Sequence, residues 1–364
     1  MSVALLEDRI ARLRLIRSAN IGPITYFHLL QRFGSADAAL RAIPDLAARG
    51  RGKAPRLAAR AEIEREMERV DQLGARYLFL GQGLYPLALG EVENAPPVLI
   101  VRGHEALLDR PMVAMVGARN ASAAACRFAR DLAVRLGERG HVTVSGLARG
   151  IDTAVHAGSI DSGTIAVIAG GIDSYYPPEN RDLQERIAHT GLLVAEQPPG
   201  REPQARHFPY RNRIIAGLAG GTLVVEAAPR SGSLITARLA AEYGREVMAV
   251  PGSPLDARAQ GCNQLIRDGA TLVQNVDDVI EAISSFAAMP FRQGGQDFRP
   301  AAPVDASERD RDMVIGLLGA VSVAVDEVVR QSGLPPMIVQ IVLLELELAG
   351  RLERQAGGRC SLIE

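Results

Sequence analysis

Lysine is nearly missing from this chain. Lys53 is the only one, so positive charge is carried almost wholly by arginine. Coding bias alone accounts for that, yet guanidinium groups also suit bidentate phosphate contacts and stacking on bases. Cysteine is scarce too: Cys126, Cys262 and Cys360 stand far apart, with neither CxxC nor regular spacing. This argues against a disulfide framework and a structural zinc site, and it fits a reducing cytoplasm. No run of about eighteen apolar residues occurs, which argues against a membrane span. The opening MSVALLEDRIARLRLIRS mixes charged with apolar residues and shows no secretory signal. The fingerprint G-x-G-x-x-G is absent, so nothing supports a nicotinamide or flavin cofactor. A net charge of −1 rules out a globally basic nucleic-acid coat, and any anion site must come from a local cluster.

What is present is enough apolar residue, 47% of 364, to bury the cores of two or three domains. Residues 1–75 read as helical, with apolar spacing in LEDRIARLRLIRS and AEIEREMERVDQLG. Between those stretches Ile21-Gly22-Pro23 makes a tight turn into a helix that Gly34 stops, the outline of a helix-hairpin-helix (SAM-like) module. Such a hairpin either points backbone N–H groups at a DNA phosphate or serves as a packing module, and its turn lacks flanking basic residues. Residues 76–286 alternate short apolar strands with helical stretches: YLFL, PPVLIV, MVAMVG, VTVSG, TIAVIAG, LLVAE, TLVVEA, VMAVPG and TLVQ. Continuous apolar strands alternating with helices predict an α/β, Rossmann-like, doubly wound and mainly parallel sheet. Residues 287–306 carry Pro, Gly and Gln without periodicity and read as a linker. In the tail, 307–364, two helical stretches precede PPMIVQIVLLELELAGRLER, where Pro335 and Pro336 suit a helix start, and a closing hairpin completes a winged helix. That tail holds six arginines against nine acids, and its recognition helix is mostly apolar, so it is expected to dock on protein rather than read a DNA groove.

In an open parallel sheet, ligands sit outside the carboxyl ends of the strands, near the point where strand order reverses. The loops there are rich in glycine, small polar residues and arginine. Gly117-Ala118-Arg119 follows the first central strand and opens a helix near Ser122. A glycine lets backbone approach an anion, the helix start offers N–H groups, and Arg119 closes a clamp on phosphate. One strand on, SGLARGID places Arg149 between Gly146 and Gly150 as a second phosphate candidate. Ser145, Asp152 and His156 do not make a nucleophilic triad. G-x-S-x-G is absent, and Asp152 and His156, four apart on one helix, point the same way. Asp152 is expected to orient its loop and His156 to pack. Tyr175 and Tyr176 bring aromatic faces beside Arg181, which suits stacked single-stranded bases, although either tyrosine alone suits packing under a proline turn. Ser231 and Ser233 open a helix either as N-caps or as phosphate holders. The stretch HFPYRNRIIAGLAGGTLVVEA adds Arg211, Asn212 and Arg213 at the start of a helix on the same rim, with His207 and Pro209 fixing the loop. Glu226 either orients arginines or accepts a base N–H.

Taken in order, VGARNAS, SGLARGIDTAVHAG, GGIDSYYPPENR, FPYRNRIIAGLAGGTLVVEA, SGSLITARLAAEYGREVMAVPG and GCNQLIRDGA resemble consecutive blocks of the DprA (Smf) family, DNA-processing proteins of natural transformation. The resemblance covers roughly 110–285, and the flanking helical hairpin and winged helix fit the family's usual modules. It implies a cytoplasmic, non-enzymatic binder of single-stranded DNA that protects incoming strands, dimerises through the Rossmann-like domain and helps load the RecA recombinase. Arg119, in the VGSR-like motif, and Arg181, in PPENR, are the positions it assigns to the DNA pocket. Two departures stand out: Ala118 replaces the motif serine, and AEQPPG replaces a usual SEYPPG. The competing reading is a nucleoside-monophosphate phosphoribohydrolase of the lysine-decarboxylase-like (LOG) type, because Gly220-Gly221-Thr222 with Glu226 resembles PGGxGTxxE. Here the proline and the spaced glycine of that loop are missing.

Overall fold

The computed structural model describes residues 3–287, 305–355 and 357–363. The expected linker over 287–306 lies, apart from its ends, outside the described residues. The chain divides into two compact units, one formed by Met1–Arg65 with Gln296–Glu364 and the other by Glu66–Gly295. The sequence pattern separates the first and last modules, and in the structure these two build one unit.

Along the chain, α1 (Val3–Arg17), α2 (Pro23–Phe33) and α3 (Ala36–Arg49) come first. Then α4 (Arg60–Gln72) leads through β1 (Arg76–Phe79) and the single turn α5 (Leu87–Gly90) to β2 (Val98–Gly103). An alternating run follows: β3 (Met112–Val116), α6 (Ala123–Glu138), β4 (Val142–Ser145), α7 (Ile151–Ser159), β5 (Thr164–Gly171), α8 (Arg181–Thr190) and β6 (Leu192–Gln197). It continues as α9 (His207–Leu218), β7 (Gly221–Val224), α10 (Ser233–Glu242), β8 (Glu246–Ala249), α11 (Gln260–Arg267), β9 (Thr271–Leu272) and α12 (Val276–Ala287). The tail holds α13 (Glu308–Gly316), β10 (Val323–Ala324), α14 (Val325–Ser332), α15 (Pro336–Leu348), β11 (Leu352–Gln355) and β12 (Arg359–Leu362).

The larger unit is a nine-stranded sheet in the order β1-β2-β6-β5-β4-β3-β7-β8-β9. Neighbours from β6 to β9 pair in parallel, and β2 alone runs antiparallel to both β1 and β6. β4, β5 and β7 are buried along their whole length, as strands covered on both faces must be. From β3 the order runs one way to β6, and from β7 it runs the other way to β9. The switch point therefore lies between β3 and β7, and the loops that leave these two strands share it.

In the smaller unit, Gly22 and Pro23 start α2 as the turn chemistry predicts, and α13 opens on a capping box between Ser307 and Asp310. α15 starts at Pro336 and is apolar on nearly every side. A helix hydrophobic nearly all round is expected to be buried, and from Ile338 onward α15 is, apart from partly exposed Gln340 and Glu347. Val339, Val342, Leu343 and Leu346 join the core of the winged helix, while Leu344 and Leu348 join the core of α1–α3. The expected protein partner of this helix is thus the chain's own N-terminal module. Polar contacts reinforce the seam: Arg351 donates to the Gly50 carbonyl at 3.2 Å, Arg51 pairs with Asp312, and Arg49 pairs with Asp305.

Within this packing lies a buried ion pair. Arg311 meets both carboxylate oxygens of Glu345 at 2.8 and 2.9 Å, and Glu345 is fully buried. Two parallel N–H···O bonds satisfy the pair, but removing one partner strands the other. Glu345→Ala is expected to destabilise by about 3 kcal/mol, at the low end for a broken buried pair because Glu308 and Asp305 still face Arg311. Replacing both partners, Arg311→Met with Glu345→Leu, recovers most of that loss. Urea unfolding midpoints of the parent and the two variants check both expectations, and an equally unstable double variant would show that the seam needs the charges themselves.

Candidate nucleic-acid interface

The loops after β3, β4 and β5 and the start of α9 meet at the carboxyl ends of the strands. Arg211, in the second turn of α9, builds the floor. Its Nη1 donates to the carbonyls of Gly146, at the end of β4, and of Val167 in β5 (2.6 Å to the latter). Its Nε donates to Asn212 Oδ1 at 3.1 Å. The guanidinium lies so close on Gly146 that a Cβ there would fall 2.4 Å from Nη1, which only glycine permits. Asp152 sits opposite, accepting the Gly146 and Ala148 N–H groups at 3.1 and 3.2 Å. Burial pushes the Asp152 carboxyl up and lowers Arg211 to about 10, and in each case the other's charge offsets part of the shift. Floor and walls form a shallow cleft lined by Gly146, Ala148, Gly170, Tyr176, Phe208 and Arg211 among others.

Aromatic faces and cations crown this cleft. The Arg119 guanidinium carbon stands 5.1 Å from the Phe208 ring centroid, and the Tyr176 ring lies 5.4 Å from Phe208, tilted to it by 56°. Tyr176 remains 47% exposed, so its face is open to a ligand. Arg181 stands 4.9 Å over Tyr175, whose hydroxyl donates to Glu185 at 2.7 Å. Arg119 and Arg181 are both exposed, and among the described residues neither has a carboxylate within ion-pairing distance. Arg149 is exposed too, but it pairs with Glu179. The Arg149 loop is seated by Gly150. At φ +74° it is in the left-handed region, and a Cβ there would strike the Ala118 and Arg119 carbonyl oxygens at 2.3 and 2.8 Å.

The helix start that follows Gly117-Ala118-Arg119 is already satisfied from within. Glu226, 8% exposed, accepts from the Ser122 N–H at 2.9 Å and from its hydroxyl at 2.7 Å, while Ser122 caps α6 through Ala125 N–H. Among the described residues Glu226 makes no ion pair with an arginine; it fills the position an anion would take at this helix start. Ser231 and Ser233 hold each other, hydroxyl to hydroxyl at 2.8 Å, and α10 takes Gly232 as its N-cap with no side-chain cap bond. Asn212 ties α9 to that loop by donating to the Gly232 carbonyl at 3.4 Å. Arg213, three per cent exposed, donates to the Asn94 carbonyl at 2.6 Å and pairs with Glu196. Of the two arginines in RNR, Arg211 therefore faces the cleft. Arg213, expected at the DNA surface, is spent on an internal carboxylate. His207 fixes its turn by accepting the Gln204 N–H at 3.2 Å.

Ser145, Asp152 and His156 form no relay: Ser145 lies beside Asp152 but donates to the Met115 carbonyl, and the His156 Nδ1 meets Thr164 Oγ1 at 2.8 Å instead. The residue the sequence reasoning missed is Phe208. Its signal was its place three residues before Arg211 on one helix, a spacing that puts both on one face.

Burial lowers the His156 imidazole to about 3, helped by the nearby positive charge of Arg211. A folded-state value below the ordinary ~6.5 means that the unfolded chain takes up a proton the folded chain refuses. This contribution is complete above ~6.5 and is lost as pH falls toward 3, at up to about 1.4 kcal/mol per pH unit. His156→Gln is expected to flatten the fall in stability between about pH 7 and pH 5.5 by one such group. Urea midpoints across that window measure it, and parallel profiles for parent and variant would refute it.

Comparison with known proteins follows the same architecture. Residues 76–284 match the family model described as DNA recombination-mediator protein A. Residues 6–68 match the DprA-like N-terminal HHH domain, and residues 298–358 match the DprA winged helix domain. The DNA processing protein DprA of Streptococcus pneumoniae is 47% identical over 198 residues, covering 54% of this chain and 70% of the relative. Protein Smf of Synechocystis is 32% identical over 380 residues, 93% of this chain and 95% of the relative. Among solved structures, the Streptococcus pneumoniae DprA superposes with a TM-score of 0.58 at 40% identity, over 65% of this chain and 80% of that one. A DNA processing protein A from Helicobacter pylori, solved for its single-stranded DNA binding mode, gives a TM-score of 0.54 at 28% identity, over 58% of this chain and 96% of that one.

Proposed function

Because this chain belongs to the DprA (Smf) family of DNA recombination-mediator proteins, we propose that it binds single-stranded DNA along the strand-end cleft without turnover. In this reading it acts as a cytoplasmic homodimer that protects incoming strands and passes them to the RecA recombinase in natural transformation. The observation that carries the reading is the stack of Arg119, Phe208 and Tyr176 over the Arg211 floor. A duplex hides the faces of its bases, whereas a single strand offers them to aromatic rings and guanidinium planes, each worth about 1–3 kcal/mol per base. Arg119 and Arg181, both without a carboxylate partner among the described residues, would meet backbone phosphates on a protein whose net charge is only −1. The homodimer and the RecA hand-over rest on the family and on nothing in the cleft. The phosphoribohydrolase alternative needs a free carboxylate at Glu226, and that carboxylate is bonded twice to Ser122.

Binding of labelled oligonucleotides should show preference for single strand over duplex and should weaken as salt rises. Arg119→Ala is expected to weaken binding and reduce the slope of log affinity against log salt by ~0.7, the share of one phosphate contact on a single strand. Phe208→Ala is expected to weaken binding by about 1–3 kcal/mol with the salt slope nearly unchanged, because stacking releases no counterions. Release of free base from a nucleoside monophosphate, with no strand binding, would overturn the proposal in favour of the hydrolase.

A further inference from the structure

One cation on the rim differs from its neighbours. Arg119 and Arg181 rest on aromatic rings, but Arg149 is already paired with a carboxylate, that of Glu179 in the turn Pro178–Asn180. The backbones under this pair are locked together. Asn180, beside Glu179, donates through its side-chain amide to the Leu147 carbonyl at 2.9 Å and to Thr153 Oγ1 at 2.9 Å. Asp152 holds the Gly146 and Ala148 N–H groups from within the same loop. Leu147 is fully buried at φ +55°, a left-handed conformation that a non-glycine residue keeps only when its surroundings fix it. The close seat of Gly150 on the Ala118 and Arg119 carbonyls then sets the Arg149 loop against the Arg119 loop.

The side chains above this rigid base are the opposite. Arg149 is 61% exposed and Glu179 58% exposed. An exposed pair of this kind adds little to stability, so neither the fold nor the loop needs it. Its own backbone N–H and then Arg149 hold the Glu179 carboxyl below the usual range, which keeps the anion in place at neutral pH.

Building on the single-strand reading above, we propose that Glu179 is a resident counter-anion of the binding cleft, holding Arg149 until a backbone phosphate of the strand displaces it. A strand anchored on Arg119 and Phe208 presents its next phosphates at high effective concentration. A phosphate also offers the guanidinium a better fork of acceptors than one exposed carboxylate does. The exchange frees Glu179 to water and adds Arg149 to the contacts. Glu179 thus lowers the affinity of the cleft while contributing nothing to its shape.

The test is a double-variant cycle on the full chain, read as the affinity for a fluorescent oligothymidylate at low salt. Glu179→Gln is expected to bind roughly two- to fivefold more tightly than the parent, the range an exposed ion pair supplies. Arg149→Gln is expected to bind more weakly, and adding Glu179→Gln to it is expected to change nothing further. Unfolding midpoints equal to the parent's confirm that the affinities compare folded proteins. A gain from Glu179→Gln that persists in the Arg149→Gln background would overturn the proposal, because Glu179 would then act through general repulsion of the strand. No gain at all would overturn it too, by showing that phosphate never competes for Arg149. Failure of the parent itself to bind the oligonucleotide would remove the single-strand reading, a result separable from either of these.

Discussion

The cleft depends on a guanidinium that is almost wholly buried. Arg211 bonds two carbonyls from different parts of the sheet, Gly146 just after β4 and Val167 in β5, and so pins the second turn of α9 to the sheet. A buried arginine is tolerable only where its donors are met and an opposite charge is near. The strand-end carbonyls meet the donors, and Asp152 supplies the charge. The same placement fixes what lies above. Phe208, one turn earlier on the helix, is carried over the cleft mouth, where Arg119 and Tyr176 close on it. Geometry at the surface is therefore set by electrostatics beneath it.

A second constraint pushes the cations outward. Sheets of this kind usually present the helix start at the switch point to an anion. Here Glu226 occupies the start of α6. With that position filled by the protein itself, phosphates have to be met by longer side chains from the surrounding loops. The scatter of Arg119, Arg149 and Arg181 over three different loops follows from this. It also explains why a dinucleotide fingerprint has no place in this chain: its glycines would open a site that a carboxylate already fills.

Much of this was readable from residues alone, and the failures have one cause. The strands could be located because a parallel sheet covered on both faces needs unbroken apolar runs, and helix starts such as Pro23 and Pro336 are local chemistry. Arg211 and Arg213, two residues apart, could not be told from each other. Their partners lie far off in sequence: Gly146 is 65 residues from Arg211, and Asn94 is 119 from Arg213. Phe208 was hidden for the same reason, since its value comes from Arg119 and Tyr176 on other loops. The apolar character of α15 did say that protein would cover it. Nothing local could say that the cover was α3, about three hundred positions earlier, where Arg351 meets the Gly50 carbonyl across a separation of 301.

That long-range seam has a consequence for how the chain acquires its shape. Helices α1–α3 precede the sheet along the chain, yet Leu344 and Leu348, which complete their core, follow it. On a ribosome that adds residues in order, the sheet unit can finish while the earliest module still waits for the helix that closes it. The nine strands thus form one long loop between two segments that mature together, and closing a longer loop adds only slowly to the entropic cost. For this module, synthesis ahead of the sheet does not bring completion ahead of it.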